Sequence, residues 1–128
     1  MISTAYVDTS FLVSIAFNQS GSAVLSRRIN SFENLISSNL LEAEFQAAFA
    51  REGRVVNRAS LTRVSWILPE RPLVDEIARV LEHGYVRGAD CWHLATALYS
   101  AAQEPSSISF LTLDSRQRTI ARALGFAA

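Results

Sequence analysis

Two stretches at opposite ends of this chain share one pattern, a short apolar run, then an acid, then a helix-forming segment. Near the start, Ala5, Tyr6 and Val7 form a β-prone run ahead of Asp8, and Phe11, Leu12, Ile15, Ala16 and Phe17 follow at helical spacing. Near the end, Ser109, Phe110, Leu111, Thr112 and Leu113 lead into Asp114, and Arg118 to Leu124 reads as a last helix with Gly125 as its C-terminal cap. A strand that gives way at once to a helix belongs to an α/β layered fold with a central, mostly parallel β-sheet flanked by α-helices. Its final residue then lies at the carboxyl edge, where open sheets bind ligands.

The middle of the chain alternates in the same way. Asn18-Gln19-Ser20-Gly21 is a turn ahead of a second helix beginning near Ala23, and Leu35-Ile36 is a short strand. Asn39 followed by Glu42 has the form of a capping box for a helix whose buried stripe is Leu41, Phe45, Ala48 and Phe49, ending near Gly53. Val55 to Val64 reads as a further, more polar helix, and Ile67-Leu68 as a strand stopped by Pro69. Leu73, Ile77, Val80 and Leu81 repeat at helical spacing up to His83-Gly84. Gly88-Ala89-Asp90 then opens the most regular helix, with Leu94, Ala97, Leu98 and Ala101 on one face.

The 128 residues, with no repeat or linker, are read as a single domain spanning 1–128. The 12 basic and 12 acidic residues cancel, so attraction to phosphate must come from a local patch or a bound cation. All the basic residues are arginine, which excludes mechanisms that need a lysine amine, including that of a phosphoacceptor receiver domain of similar length. Cys91 is the one cysteine and cannot form an intramolecular disulfide; with no leader-like segment before Thr4, a cytoplasmic location is expected. No apolar run approaches the ~20 residues needed to cross a bilayer, so no membrane role is expected.

Asp8 and Asp114 share an edge if their strands are neighbours, and Thr112, two residues before Asp114, points to the same side of its strand. Asp90 lies within about 40° of the centre of the leucine face, an unusual place for an acid, where it serves either the helix N-terminus or a site. Glu42 and Glu44 are about 200° apart on their helix and cannot face one site together. The helical wheel does not choose between them, but the capping assignment of Glu42 makes Glu44 the candidate. Two carboxylates about 4 Å apart repel by ~4 kcal/mol at an effective dielectric near 20, so a gathered cluster needs a proton or a cation. Oxygen donors suit Mg²⁺ or Mn²⁺, and such an ion turns an acid cluster into a phosphodiesterase site.

Four segments carry a family resemblance: Y-V-D-T-S at Tyr6 to Ser10, A-E-F at Ala43 to Phe45, G-A-D-C-W-H-L-A-T-A-L at Gly88 to Leu98, and F-L-T-L-D at Phe110 to Asp114. The chain resembles a PIN domain, and specifically the VapC-type toxins of prokaryotic toxin–antitoxin modules. The resemblance implies an endoribonuclease dependent on Mg²⁺ or Mn²⁺, with Asp8, Glu44, Asp90 and Asp114 as metal-binding catalytic acids and Thr9, Ser10 and Thr112 in support. It also implies in-line attack by water on RNA, leaving 5′-phosphate and 3′-hydroxyl ends, a cognate VapB-like antitoxin, and a homodimer. The alternatives are a PIN nuclease of RNA processing or decay that is not a toxin, and an inactive PIN-like binding module, which the four intact acids disfavour.

Other residues receive plainer readings. His93, three residues after Asp90, is read as a packed or substrate-facing side chain rather than a ligand, and Cys91 as a small buried residue. Arg51, Arg54, Arg58 and Arg63 form a solvated basic face, with an RNA track or antitoxin contact as the alternative. Trp92 and Tyr99, a heptad apart and opposite the leucine stripe, imply that their helix is buried on two sides.

Overall fold

The computed structural model describes residues 3–128. Four strands, β1 (Thr4–Val7), β2 (Asn34–Ser38), β3 (Val64–Ile67) and β4 (Ile108–Leu111), form one parallel sheet in the order β3-β2-β1-β4. Six helices join them: α1 (Thr9–Ala16), α2 (Ser22–Asn30), α3 (Leu40–Arg51), α4 (Val74–Glu82), α5 (Gly88–Ala101) and α6 (Ser115–Ala123).

The two-residue period of the strands divides the core. Tyr6 and Phe110 face one layer, where they meet Leu94, Leu98 and Ala101 of α5, Val80 of α4 and Ile120 of α6. Ala5, Val7 and Leu111 face the other, against Phe11 and Leu12 of α1, Ile29 of α2, and Leu41, Phe45 and Phe49 of α3. Tyr6 and Phe110 also stack across the sheet, their planes 4° apart and centroids 5.2 Å apart. Because β1 leads to β2 through one helical layer and β4 is reached through the other, the strand order reverses between β1 and β4. In an open parallel sheet the crevice at such a reversal is where ligands bind, and Asp8 and Asp114 stand at its rim.

The outer edge of β4 is closed by the chain itself. Phe110 N–H donates to the carbonyl of Ala127, Ala127 N–H donates to that of Ile108, and the Arg118 guanidinium donates to the Thr112 carbonyl at 2.7 Å. Among the described residues no helix is long and apolar enough to cross a membrane.

Three local expectations are corrected. Residues 55–64 do not form a helix: apart from a single 3₁₀ turn at Arg58–Leu61 the segment is irregular, Val55 is 93% exposed, and Val64 already belongs to β3. The apolar side chains there are too few and too widely spaced to bury a helical face, whereas Val64 gains a sheet partner in Leu35. Asn39 does not cap α3; its backbone is helical, its side chain makes no capping bond, and the Ser38 hydroxyl accepts from Leu40 N–H instead. Glu42 therefore has no capping-box role and lies exposed.

The basic face is partly tied down. Arg54 lies over Phe17, 4.6 Å from the ring centroid, and Arg63 donates to Asn30 and to the Phe32 carbonyl. Helix α5 is indeed covered on two sides, by the sheet and by α4, with Trp92 half-buried and donating to the Ser38 hydroxyl at 2.9 Å. Cys91 is buried.

Candidate active site

Asp8 ends β1 and caps α1, its side chain accepting from Ser10 N–H at 3.0 Å and from the Ser10 hydroxyl at 2.6 Å. The helix requires a side-chain acceptor here because its first amides have no carbonyl partners. Ser10 in turn accepts from Leu113 N–H at 3.1 Å, which ties the start of α1 to the end of β4. Asp114 performs the same service for α6, accepting from Gln117 N–H at 2.7 Å. Asp90 occupies the first turn of α5, with the Arg87 guanidinium 3.8 Å away.

Gln117, fully buried, joins these three acids, and sequence reasoning passed over it. Its amide nitrogen donates to the Asp8 carboxylate at 3.2 Å and to the Asp90 carbonyl at 3.4 Å, while its amide oxygen accepts from the Thr112 hydroxyl. Gln117 stands three residues after Asp114, the spacing of a cap acid and its reciprocal partner, which was the available signal. Thr112 also differs from the expectation of a hydroxyl beneath the Asp114 carboxylate. It accepts from Asp114 N–H at 3.1 Å and turns its proton to Gln117, leaving a long 3.4 Å contact with Asp8.

Asp90 and Asp114 line one cavity of about 490 Å³ with Tyr85, Arg87 and Arg116. Burial first, and then the charges of Asp8 and Asp114, push the Asp90 carboxyl above its ordinary range, against the pull of Arg87 and His93. Asp90 thus lies within the field of both other aspartates.

Glu44 is set differently. Of the two glutamates on α3, it is the one that faces inward: Thr9 donates to its Oε1 at 2.8 Å and His93 Nε2 lies 2.7 Å from the same oxygen. Burial works to raise this carboxyl, but the hydrogen bonds from His93 and Thr9 outweigh it and hold it below the usual range. His93, 1% exposed, is anchored on its far side by Tyr6, whose hydroxyl is 2.8 Å from Nδ1 and accepts from Ser38 N–H at 3.0 Å. Burial keeps that hydroxyl protonated by driving its pKa far up.

These contacts fix the ring's orientation. Nε2 carries the hydrogen that the ionised Glu44 accepts, while the Tyr6 hydroxyl, which also accepts from Ser38 N–H, holds Nδ1. The reverse tautomer would set a lone pair against a carboxylate. Glu44 meets the aspartates only through this network, with His93 Nε2 3.9 Å from the Asp8 carboxylate and 3.4 Å from the Thr9 hydroxyl.

Among the described residues, no three or more His, Cys, Asp or Glu side chains stand close enough together to hold a metal ion in this arrangement. The donor chemistry fits a hard cation all the same, since the acids offer oxygen alone and the raised Asp90 carboxyl marks a surplus of negative charge that a cation relieves. His93 Nε2 is committed to Glu44, in keeping with its reading as a packed side chain.

No curated protein and no solved structure matches the chain. A family model does, that of the PIN domain, over residues 5–123. The match runs from β1 through the end of α6 and so takes in every element that carries one of the acids. With the sheet, the reversal between β1 and β4 and the acids at that rim, it means that the chain belongs to the PIN-domain family, whose members are generally nucleases that use divalent metal ions.

Proposed function

We propose that this chain is a Mg²⁺- or Mn²⁺-dependent endoribonuclease that acts as the toxin of a toxin–antitoxin pair. The observation that carries the nuclease reading is that Gln117 bonds to Asp8, Asp90 and Asp114 at the strand-order reversal, with Asp90 in the field of the other two acids. Those three acids would hold the ion, and Glu44 would contribute from across His93. When bound, such an ion lowers the pKa of a coordinated water and offsets charge developing on a phosphate.

The chain's own groups do the positioning. Ser10 and Gln117 fix the two oxygens of Asp8, Gln117 N–H fixes Asp114, and His93 with Thr9 keeps Glu44 ionised. The toxin assignment rests on the VapC-like motifs, above all Gly88 to Leu98, and carries with it a VapB-like antitoxin and a homodimer.

The test is cleavage of RNA by purified protein with Mg²⁺ or Mn²⁺ and with chelator. Asp90→Asn is expected to lower the rate at least about 100-fold while the circular dichroism spectrum stays native, because losing a charge from the group relieves repulsion. Full activity in that variant ends the assignment of the cleavage to this acid site. In cells, induction of the wild type should arrest growth and that of Asp90→Asn should not; growth unaffected by an active nuclease would instead indicate RNA processing or decay.

A further inference from the structure

The cavity that holds Asp90 and Asp114 does not end at the acids. A second cavity, of about 370 Å³, adjoins it and shares Tyr85, Ser115 and Arg116, continuing past His83 and Thr119. The two form one groove with unequal ends. Its acids are confined to the end beside Asp90, and no carboxylate lines the other.

Tyr85 lies where the two cavities meet, in the loop between α4 and α5. It is 69% exposed, although Val86 beside it is buried in the core and so fixes the loop. Burial of an aromatic is strongly favourable, and one held open on an anchored loop beside charged groups is placed to meet a planar ligand. The flanking cations are free to meet an anion. Arg116 touches only the Tyr85 carbonyl, at 3.5 Å, and makes no ion pair among the described residues, while Arg87, its side chain 82% exposed, reaches Asp90 at a loose 3.8 Å.

We infer that Tyr85, Arg116 and Arg87 form a nucleotide subsite for single-stranded RNA, in which an unpaired base stacks on Tyr85 and the two guanidiniums take the phosphates next to the one being cut. This rests on the nuclease reading above and names residues beyond the acids that seat the strand. A stacked base must be unpaired, since a duplex keeps its faces covered, so the groove selects single strands or loops. The guanidiniums also supply positive charge beside the acids in a chain of zero net charge.

The test measures binding and cleavage of one fluorescently labelled oligoribonucleotide, single-stranded and annealed to its complement. Binding is read by anisotropy on the full chain with chelator, cleavage with Mg²⁺. Tyr85→Ala should weaken single-strand binding about 5- to 150-fold, with the loss in cleavage falling on KM rather than kcat, and Tyr85→Trp should restore most of it. Arg116→Gln should lower the salt dependence of binding by about 0.7 in log–log slope. Duplex should bind more weakly than single strand.

Unchanged single-strand affinity in both Tyr85→Ala and Arg116→Gln overturns the subsite and leaves this wall to a protein contact. A wild type that binds single strands through Tyr85 but cuts none with any divalent ion upholds the subsite and removes the nuclease reading. One that cuts RNA with no effect of either substitution does the reverse.

Discussion

Two groups of acids share one sheet edge and are supported in opposite ways. The aspartates are joined by Gln117, a neutral amide that gives Asp8 and the Asp90 backbone one nitrogen between them and leaves most of the negative charge unanswered. Glu44 is met by His93 and Thr9 and pinned through Tyr6 to the backbone of β2. Accordingly the Asp90 carboxyl is pushed up and the Glu44 carboxyl held down. The difference is one of charge balance: the first group is short of positive charge, which a cation would relieve, while Glu44 is already met by hydrogen-bond donors.

The strongest way to break this contrast is at Gln117. Gln117→Leu fills similar volume but removes the donor to Asp8 and the acceptor for Thr112, both buried, and should cost about 2–4 kcal/mol in urea unfolding. A loss below about 1 kcal/mol would mean that the amide is not what joins the aspartates.

On the other side, Tyr6→Phe removes a hydroxyl with two partners and should cost about 1–2 kcal/mol. Its sharper signature is spectroscopic. Nitrogen chemical shifts of the imidazole should report a hydrogen on Nε2 of His93 in the wild type and a mixture of tautomers in the variant. If the wild type already carries its hydrogen on Nδ1, the relay from Ser38 through Tyr6 to Glu44 runs the other way.

The smallest effect compares the two carboxyls directly, and their signs differ. Glu44 is held below 4.5, so its contribution to stability is present above that pH and is lost as pH falls through its folded value. Asp90 is raised above 3.8, so it costs stability at neutral pH, and that cost disappears as pH falls toward 3.8. At pH 7 without metal, Asp90→Asn should therefore raise the unfolding free energy and Glu44→Gln lower it, each by less than about 1 kcal/mol, with both differences shrinking near pH 3. Shifts of the same sign would erase the distinction between the two groups.

Much of this arrangement was legible from period and position. The apolar runs before Asp8 and Asp114 could only be short strands, and an acid at the end of each had to reach the carboxyl edge. The choice of Glu44 over Glu42 also agrees with the direction in which it faces, although the reason given for it, a capping box at Asn39, does not exist in the fold. Residues 55–64 misled: Val55, Val56, Leu61 and Val64 fall on no common helical face, and only the presence of β2 as a partner for Val64 decides for a strand. Gln117 and Tyr6 were the hardest to see. The spacing of Gln117 from Asp114 marks a capping partner but not its bonds to Asp8 and Asp90, and tyrosine in an apolar strand carries no mark of its role until the neighbouring elements are folded around it.

The closure of β4 has a consequence for how this protein fails. An open strand invites pairing with another chain, but here Ala127 and the Arg118 guanidinium occupy the carbonyls and amides that an incoming strand would use. Among the described residues no further strand of the sheet covers the opposite border, β3. Aggregation that begins by strand addition would start there, at the border away from the acids, so the protein can begin to self-associate while the rim that carries the acids is still intact.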